Sequence, residues 1–160
     1  MKAESEGLIT LKVIQTSCED ETIELGFRIG KNCKGGEIIA LSGDLGAGKT
    51  YFVKGIGKGL GIEDRVINSP TFLICQSYTS GRLPLYHFDI YRLSDFSEIE
   101  DIGWYDYLGN GGVIVIEWAE KIEEYIISDN LLWTTINIIS ENVREFVFRA
   151  KDKKMEYLLD

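Results

Sequence analysis

Residues Gly43–Thr50 read Gly-Asp-Leu-Gly-Ala-Gly-Lys-Thr. The spacing is G-x-x-x-x-G-K-[ST], the P-loop pattern, and its chemistry is the cradling of nucleotide phosphates. The glycines let the backbone wrap closely, so that successive N–H groups can point at phosphate oxygens. Lys49 brings a positive charge to the β- and γ-phosphates, and Thr50 offers its hydroxyl to Mg²⁺.

Two acids further along suit the same chemistry. Val113–Ile116 is a run of four β-branched residues without alternation, which implies a central parallel strand buried on both faces. It ends in Glu117, where an acid can hold Mg²⁺ directly or through water, because ligands sit outside the carboxyl ends of strands in open α/β sheets. Asp89 lies inside the apolar strand Leu85–Tyr91, where a carboxylate is costly without a partner or a metal. Near the loop that partner is magnesium-bound water or an attacking water. We assign Glu117 to the metal and Asp89 to the water. Trp118 either stacks on a base or fills the core. Thr71 either begins a strand or senses the γ-phosphate. His87, the single histidine of the chain, alternates with Tyr86 and Phe88 and reads as structural.

The elements that must position these residues follow from periodicity. Glu37–Leu41 is a short buried strand before the loop, and Phe52, Ile56 and Leu60 mark one face of a helix after it. Gly55, Gly57, Gly59 and Gly61 interrupt that helix, and each interior glycine costs about 1 kcal/mol relative to alanine. The helix is therefore predicted to be short or to fray before Leu60. Leu8–Gln15 alternates as an edge strand. Ser17 precedes a helix as its cap, with Ile23, Gly26, Phe27 and Gly30 on one face. That helix either covers the sheet or lays its first turn over the base. Asn68–Phe72 is a turn leading into a strand, Phe72–Tyr78, antiparallel to Leu85–Tyr91 across Ser80-Gly81-Arg82. Ser94–Glu100 reads as a short capped helix. Leu131–Ile139 and Glu145–Arg149 are two further strands. The expectation is one α/β P-loop NTPase domain over residues 1–160. Its central mixed sheet has parallel core strands and antiparallel strands at one side, flanked by helices.

Composition narrows the function classes. The 160 residues carry 17 Lys and Arg against 26 Asp and Glu, a net charge of −9. This opposes a broad phosphate-binding surface and hence stable direct binding of nucleic acid. Asp95–Asp106 holds five acids beside Trp104 and Tyr105, which suits a solvated face or a protein-partner surface with an aromatic anchor. Cys18, Cys33 and Cys75 show neither disulfide nor zinc spacing. No run approaches the ~20 apolar residues of a membrane span, so a cytoplasmic protein is expected.

Rival chemistries leave weaker traces. A small-molecule kinase needs lid arginines, yet after Arg92 only Arg144 and Arg149 remain, outside any glycine-rich lid. A GTP switch lacks its Asn-Lys-x-Asp stretch. A dinucleotide fingerprint fails at Tyr51, which stands where its third glycine belongs. A non-catalytic ATP-dependent docking switch uses the same residues as an ATPase and stays open.

Five stretches together resemble the TsaE (YjeE) family: Gly43–Thr50, Ser69-Pro70-Thr71-Phe72, His87-Phe88-Asp89-Ile90-Tyr91-Arg92-Leu93, Asp101-Ile102-Gly103 and Glu117-Trp118-Ala119-Glu120. The resemblance covers roughly residues 8–150. It implies a Mg²⁺-dependent ATPase needed for threonylcarbamoyladenosine synthesis on tRNA, acting with the TsaB and TsaD proteins. It implies that Leu45, Gly46, Ala47, Gly48, Lys49 and Thr50 cradle the phosphates. Thr50 and Glu117 attend the metal, and Asp89 serves hydrolysis. Glu19 approaches the adenine, and Arg144 matches an arginine after the penultimate turn. Gly57 and Gly59 depart from the family, where larger residues are usual.

Overall fold

Three apolar runs form the middle of the sheet. They are β2 (Ile38–Ser42), β5 (Val113–Glu117) and β6 (Leu131–Ile138), and β2 and β5 are buried at every position. The structure is a computed structural model describing residues 7–63, 67 and 74–160. Thr71 and the turn Asn68–Phe72 lie outside the described residues, as do the first residues of the expected strand Phe72–Tyr78.

Around these runs stand β1 (Ile9–Thr16), β3 (Cys75–Tyr78), β4 (Leu85–Asp89) and β7 (Arg144–Ala150). Among the described residues one seven-stranded sheet results, in the order β1-β7-β6-β2-β5-β4-β3. β2 pairs in parallel with both β5 and β6, and β4 in parallel with β5. The expected antiparallel pair β3–β4 closes one edge. Antiparallel pairing also borders the other side, because β6 and β7 form a hairpin and β1 adds to its outer strand. The register sets Leu41 and Asp89 level with Glu117 on its two sides. The carboxyl ends of β2, β5 and β4 thus open at one height, beside the loop that follows β2.

The helices α1 (Glu19–Asn32) and α2 (Lys49–Gly59) cover one face. Leu25, Ile29, Phe52, Val53 and Ile56 pack there on Ile39, Leu41, Val113 and Val115. The opposite face carries α3 (Ser97–Asp101), α4 (Trp104–Tyr107) and a 3-10 segment, Ala119–Tyr125. Trp104 is buried there, edge-on to Phe88 and Phe96. It therefore belongs to the core and not to a partner surface, whereas Tyr105 is 64% exposed.

Two local expectations change. α1 has Cys18 at its N-cap, without a side-chain cap hydrogen bond. The Ser17 backbone N–H instead donates to Glu21 Oε2 at 2.7 Å. Three acids in the first turn, Glu19, Asp20 and Glu21, complement the positive end of the helix. α2 in turn runs its full 11 residues to Gly59, with Leu60 as its C-cap. Gly55 and Gly59 shorten nothing because they are the contact with α1, and Gly57 faces Ile67 and Leu85 instead. A Cβ on Gly55 or Gly59 would fall on the carbonyl oxygen of Ile23 or Phe27. A Cβ on Gly26 or Gly30 of α1 would meet that of Phe52 or Ile56. The helices thus pack backbone to backbone, and dispersion along the seam offsets the glycine propensity cost.

Gly55→Ala should therefore destabilise the protein, by about 1–3 kcal/mol as for other overpacked sites. Alanine at an unconstrained helix position is stabilising, so the sign is diagnostic. A urea midpoint equal to or above that of the unaltered protein would contradict the backbone contact.

Candidate functional site

The loop after β2 is shaped by its glycines. A side chain at Gly43 would sit 2.8 Å from the Ile136 carbonyl oxygen, so the chain passes tightly against β6. Gly46 (φ 81°) and Gly48 (φ 97°) occupy the left-handed region. A Cβ on Gly46 would meet nothing within 4 Å, so the outer side of the loop is open. The Ala47 N–H donates to Asp44 O at 3.0 Å, and Ala47 itself is buried. Leu45 is 74% exposed. α2 starts at Lys49 with no side-chain cap, so its first N–H groups face outward as an anion-seeking end. Thr50 follows in that turn, half-buried.

Lys49 is 6% exposed. Its ammonium donates to the carbonyl oxygens of Gly43 and Asp44 and stands 3.7 Å from the centre of the Trp118 ring. Burial pulls its pKa below the ordinary lysine value, while Glu117, Glu120, Asp89 and Asp44 oppose that shift with their charge. Four acids from three parts of the chain thus act on one ammonium with their charge.

Glu117 is 2% exposed at the end of β5, and its Oε2 lies 2.5 Å from His87 Nε2. Asp89 is half-buried, and its Oδ1 accepts from the Tyr91 N–H at 3.1 Å. Among the described residues Trp118 is the one non-glycine residue with positive φ, at 63°, an uncommon conformation for a bulky side chain. That turn lays its ring on Lys49 and, at 4.9 Å between centroids, on Tyr91. Trp118 also packs on the core of the second face.

A separate cleft opens on the α1 side of the loop. Glu19, Thr22, Gly46, Gly48, Tyr51 and Arg144 are among the residues lining it. The Tyr51 hydroxyl donates to the Glu19 carboxylate, and that hydrogen bond, followed by the carboxylate's charge, pushes the phenol above its ordinary pKa. Arg144 reaches Gly46 O at 3.1 Å with Nη2, and its Nη1 donates to the carbonyls of Ser140, Glu141 and Val143. It thereby pins the β6–β7 turn to the loop, and its guanidinium is engaged by backbone oxygens.

The structure therefore gathers Lys49, Thr50, Asp89, Glu117 and Trp118 at the strand ends, and Glu19 and Arg144 at the cleft. Trp118 is not among the residues lining that cleft. Sequence reasoning gave no role to Glu120 or Tyr51 and read His87 as structural. Strand alternation was the signal for His87, since residues two apart share a face and Asp89 is two residues on. Among the described residues no group of three or more His, Cys, Asp or Glu could hold a metal ion. The hydroxyl of Thr50 and the carboxylate of Glu117 are nonetheless hard oxygens of the kind Mg²⁺ takes, and that ion usually has few protein ligands and completes its shell with phosphates and water.

A strand, a glycine-rich loop and a helix stand at the carboxyl ends of the parallel strands of a mixed sheet, and together they define an α/β domain. The profile of the family described as threonylcarbamoyl adenosine biosynthesis protein TsaE matches residues 16–146. The chain is 45% identical over 141 residues to the tRNA threonylcarbamoyladenosine biosynthesis protein TsaE of Bacillus subtilis, covering 88% of this chain and 87% of that one. It is 40% identical over 135 residues to the protein of the same name from Treponema pallidum, covering 84% and 97%. The crystal structure of YdiB from Bacillus subtilis superposes with a TM-score of 0.76 at 35% identity, over 94% of this chain and 92% of that one. This chain belongs to the TsaE family, whose members are tRNA threonylcarbamoyladenosine biosynthesis proteins.

If Arg144 braces the loop, Arg144→Ala should speed amide hydrogen exchange over Gly43–Gly48 and cost about 1 kcal/mol of stability. Unchanged exchange in that segment would show that the loop holds its shape without the arginine.

Proposed function

We propose that this chain binds Mg·ATP at Gly43–Thr50 and hydrolyses it to ADP and phosphate in support of threonylcarbamoyladenosine modification of tRNA. The observation that carries the reading is the convergence of Lys49, Asp89 and Glu117 on the glycine-rich loop, with Asp89 and Glu117 level at the strand ends. In this reading Lys49 exchanges the carbonyls of Gly43 and Asp44 for phosphate oxygens. The N–H groups of the loop and of the first turn of α2 cradle the phosphates. Thr50 and Glu117 hold the magnesium, which when bound supplies charge neutralisation at the β- and γ-oxygens. Asp89, the less buried acid, orients the attacking water. Thr22 and Tyr51, with Glu19, form the wall facing the rest of the nucleotide.

Intrinsic turnover is slow in this reading. An arginine aimed at the transferred phosphoryl group is worth roughly 10³–10⁵ in rate, and Arg144 is held by carbonyls. Partners then complete the activity, and by family resemblance they are a TsaB–TsaD-type complex. The exposed acids Glu100 and Asp101 and exposed Tyr105 support contact with a basic protein surface. The net charge of −9 supports action through proteins and not through stable tRNA binding of this chain itself. Among the described residues no helix is long and apolar enough to cross a membrane.

Calorimetry and phosphate release test the reading together. Lys49→Ala should lose measurable Mg·ATP binding. Asp89→Asn should keep that affinity within a few-fold and lower phosphate release at least tenfold, about 1.4 kcal/mol of barrier. Unaltered ATP affinity in Lys49→Ala would refute the assignment of the loop.

A further inference from the structure

The buried pair beneath the site has a use that a structural histidine does not require. His87 is 0% exposed, and its Nε2 lies 2.5 Å from Glu117 Oε2. His87 sits opposite Val115, one alternation below the Asp89–Glu117 level, so its ring and the Glu117 carboxylate share the face that carries α2. Its other nitrogen, Nδ1, is buried with no hydrogen-bond partner among the described residues. A proton on Nδ1 would be a buried unsatisfied donor, whereas a proton on Nε2 has a carboxylate to accept it.

We propose that His87 is a positioning residue for the magnesium acid. Held as the Nε2–H tautomer, it donates to Glu117 Oε2 and fixes the carboxylate rotamer. Oε1 is then left for the metal or for a water bound to it. A carboxylate that ligates a metal generally needs such a partner, and loss of the partner costs 10–100-fold in metal affinity. This inference rests on the reading of Glu117 as the magnesium acid, and the experiment separates the two.

His87 is the single histidine, so ¹⁵N-labelled protein gives one imidazole spin system. The expected spectrum is that of the Nε2–H tautomer. The Nδ1–H tautomer would overturn the proposal, because Glu117 would then have to donate. Calorimetry of ATP with Mg²⁺ and with EDTA gives the second readout. His87→Leu should lose at least tenfold of the affinity gained from Mg²⁺, with ATP binding in EDTA unchanged. His87→Gln, whose amide N–H can still reach Glu117, should restore most of the gain. Urea melts identify a variant that has lost the fold, and the tautomer then decides alone. No gain from Mg²⁺ in the unaltered protein would sink the magnesium reading itself. A gain that His87→Leu keeps in full would sink only the role of His87.

Discussion

An ammonium buried to 6% exposure needs negative partners close by, because a lone charge in a protein interior is expensive. The arrangement of the site follows from satisfying Lys49. Carbonyls of its own loop take part of the charge, and the charges of Glu117, Glu120, Asp89 and Asp44 favour the ammonium further. Each of those acids arrives by a different route. Asp44 is in the loop, Asp89 and Glu117 end two neighbouring parallel strands, and Glu120 follows the left-handed turn at Trp118. The same acids leave the neighbourhood rich in hard oxygen ligands.

The helix seam sets the frame in which this balance is struck. Gly26 and Gly30 of α1 meet Gly55 and Gly59 of α2 backbone to backbone. α1 is thereby held close enough for Glu19 and Thr22 to line the cleft that also meets Gly46 and Gly48. A wider seam would move that wall away from the loop. Arg144 braces the loop from the side of the β6–β7 turn. The loop is thus fixed by packing and by carbonyl contacts, while its outer face stays open.

Much of this was legible in the residues themselves. The glycine-rich spacing and the run Val113–Ile116 ending in Glu117 located the loop and the central strand, because both are local patterns. The hairpin around Ser80-Gly81-Arg82 was legible from its turn residues. What was not legible depends on contacts between distant segments. Glycines counted at every second position suggested a broken helix, yet Gly55 and Gly59 are four apart, as are Gly26 and Gly30, and that shared period is the helix seam. Trp104 stands among acids in sequence, but α4 turns its ring inward against Phe88. Antiparallel pairing on the second side needed β1 to find β7 across most of the chain. The partner of His87 is 30 residues away, and no local pattern announces it. Thr71 lies outside the described residues, so its two readings stand as the sequence left them.

The most direct test of the account is a crystal structure of the chain with Mg²⁺ and a non-hydrolysable ATP analogue. Phosphate oxygens should lie within about 3 Å of the loop N–H groups and of Lys49 Nζ, a hydrogen-bond distance. Lys49 should have left the Gly43 carbonyl and the Trp118 ring, with Thr50 and Glu117 on the metal side. An analogue bound elsewhere, or one seated on the loop while Lys49 keeps its present contacts, would contradict it.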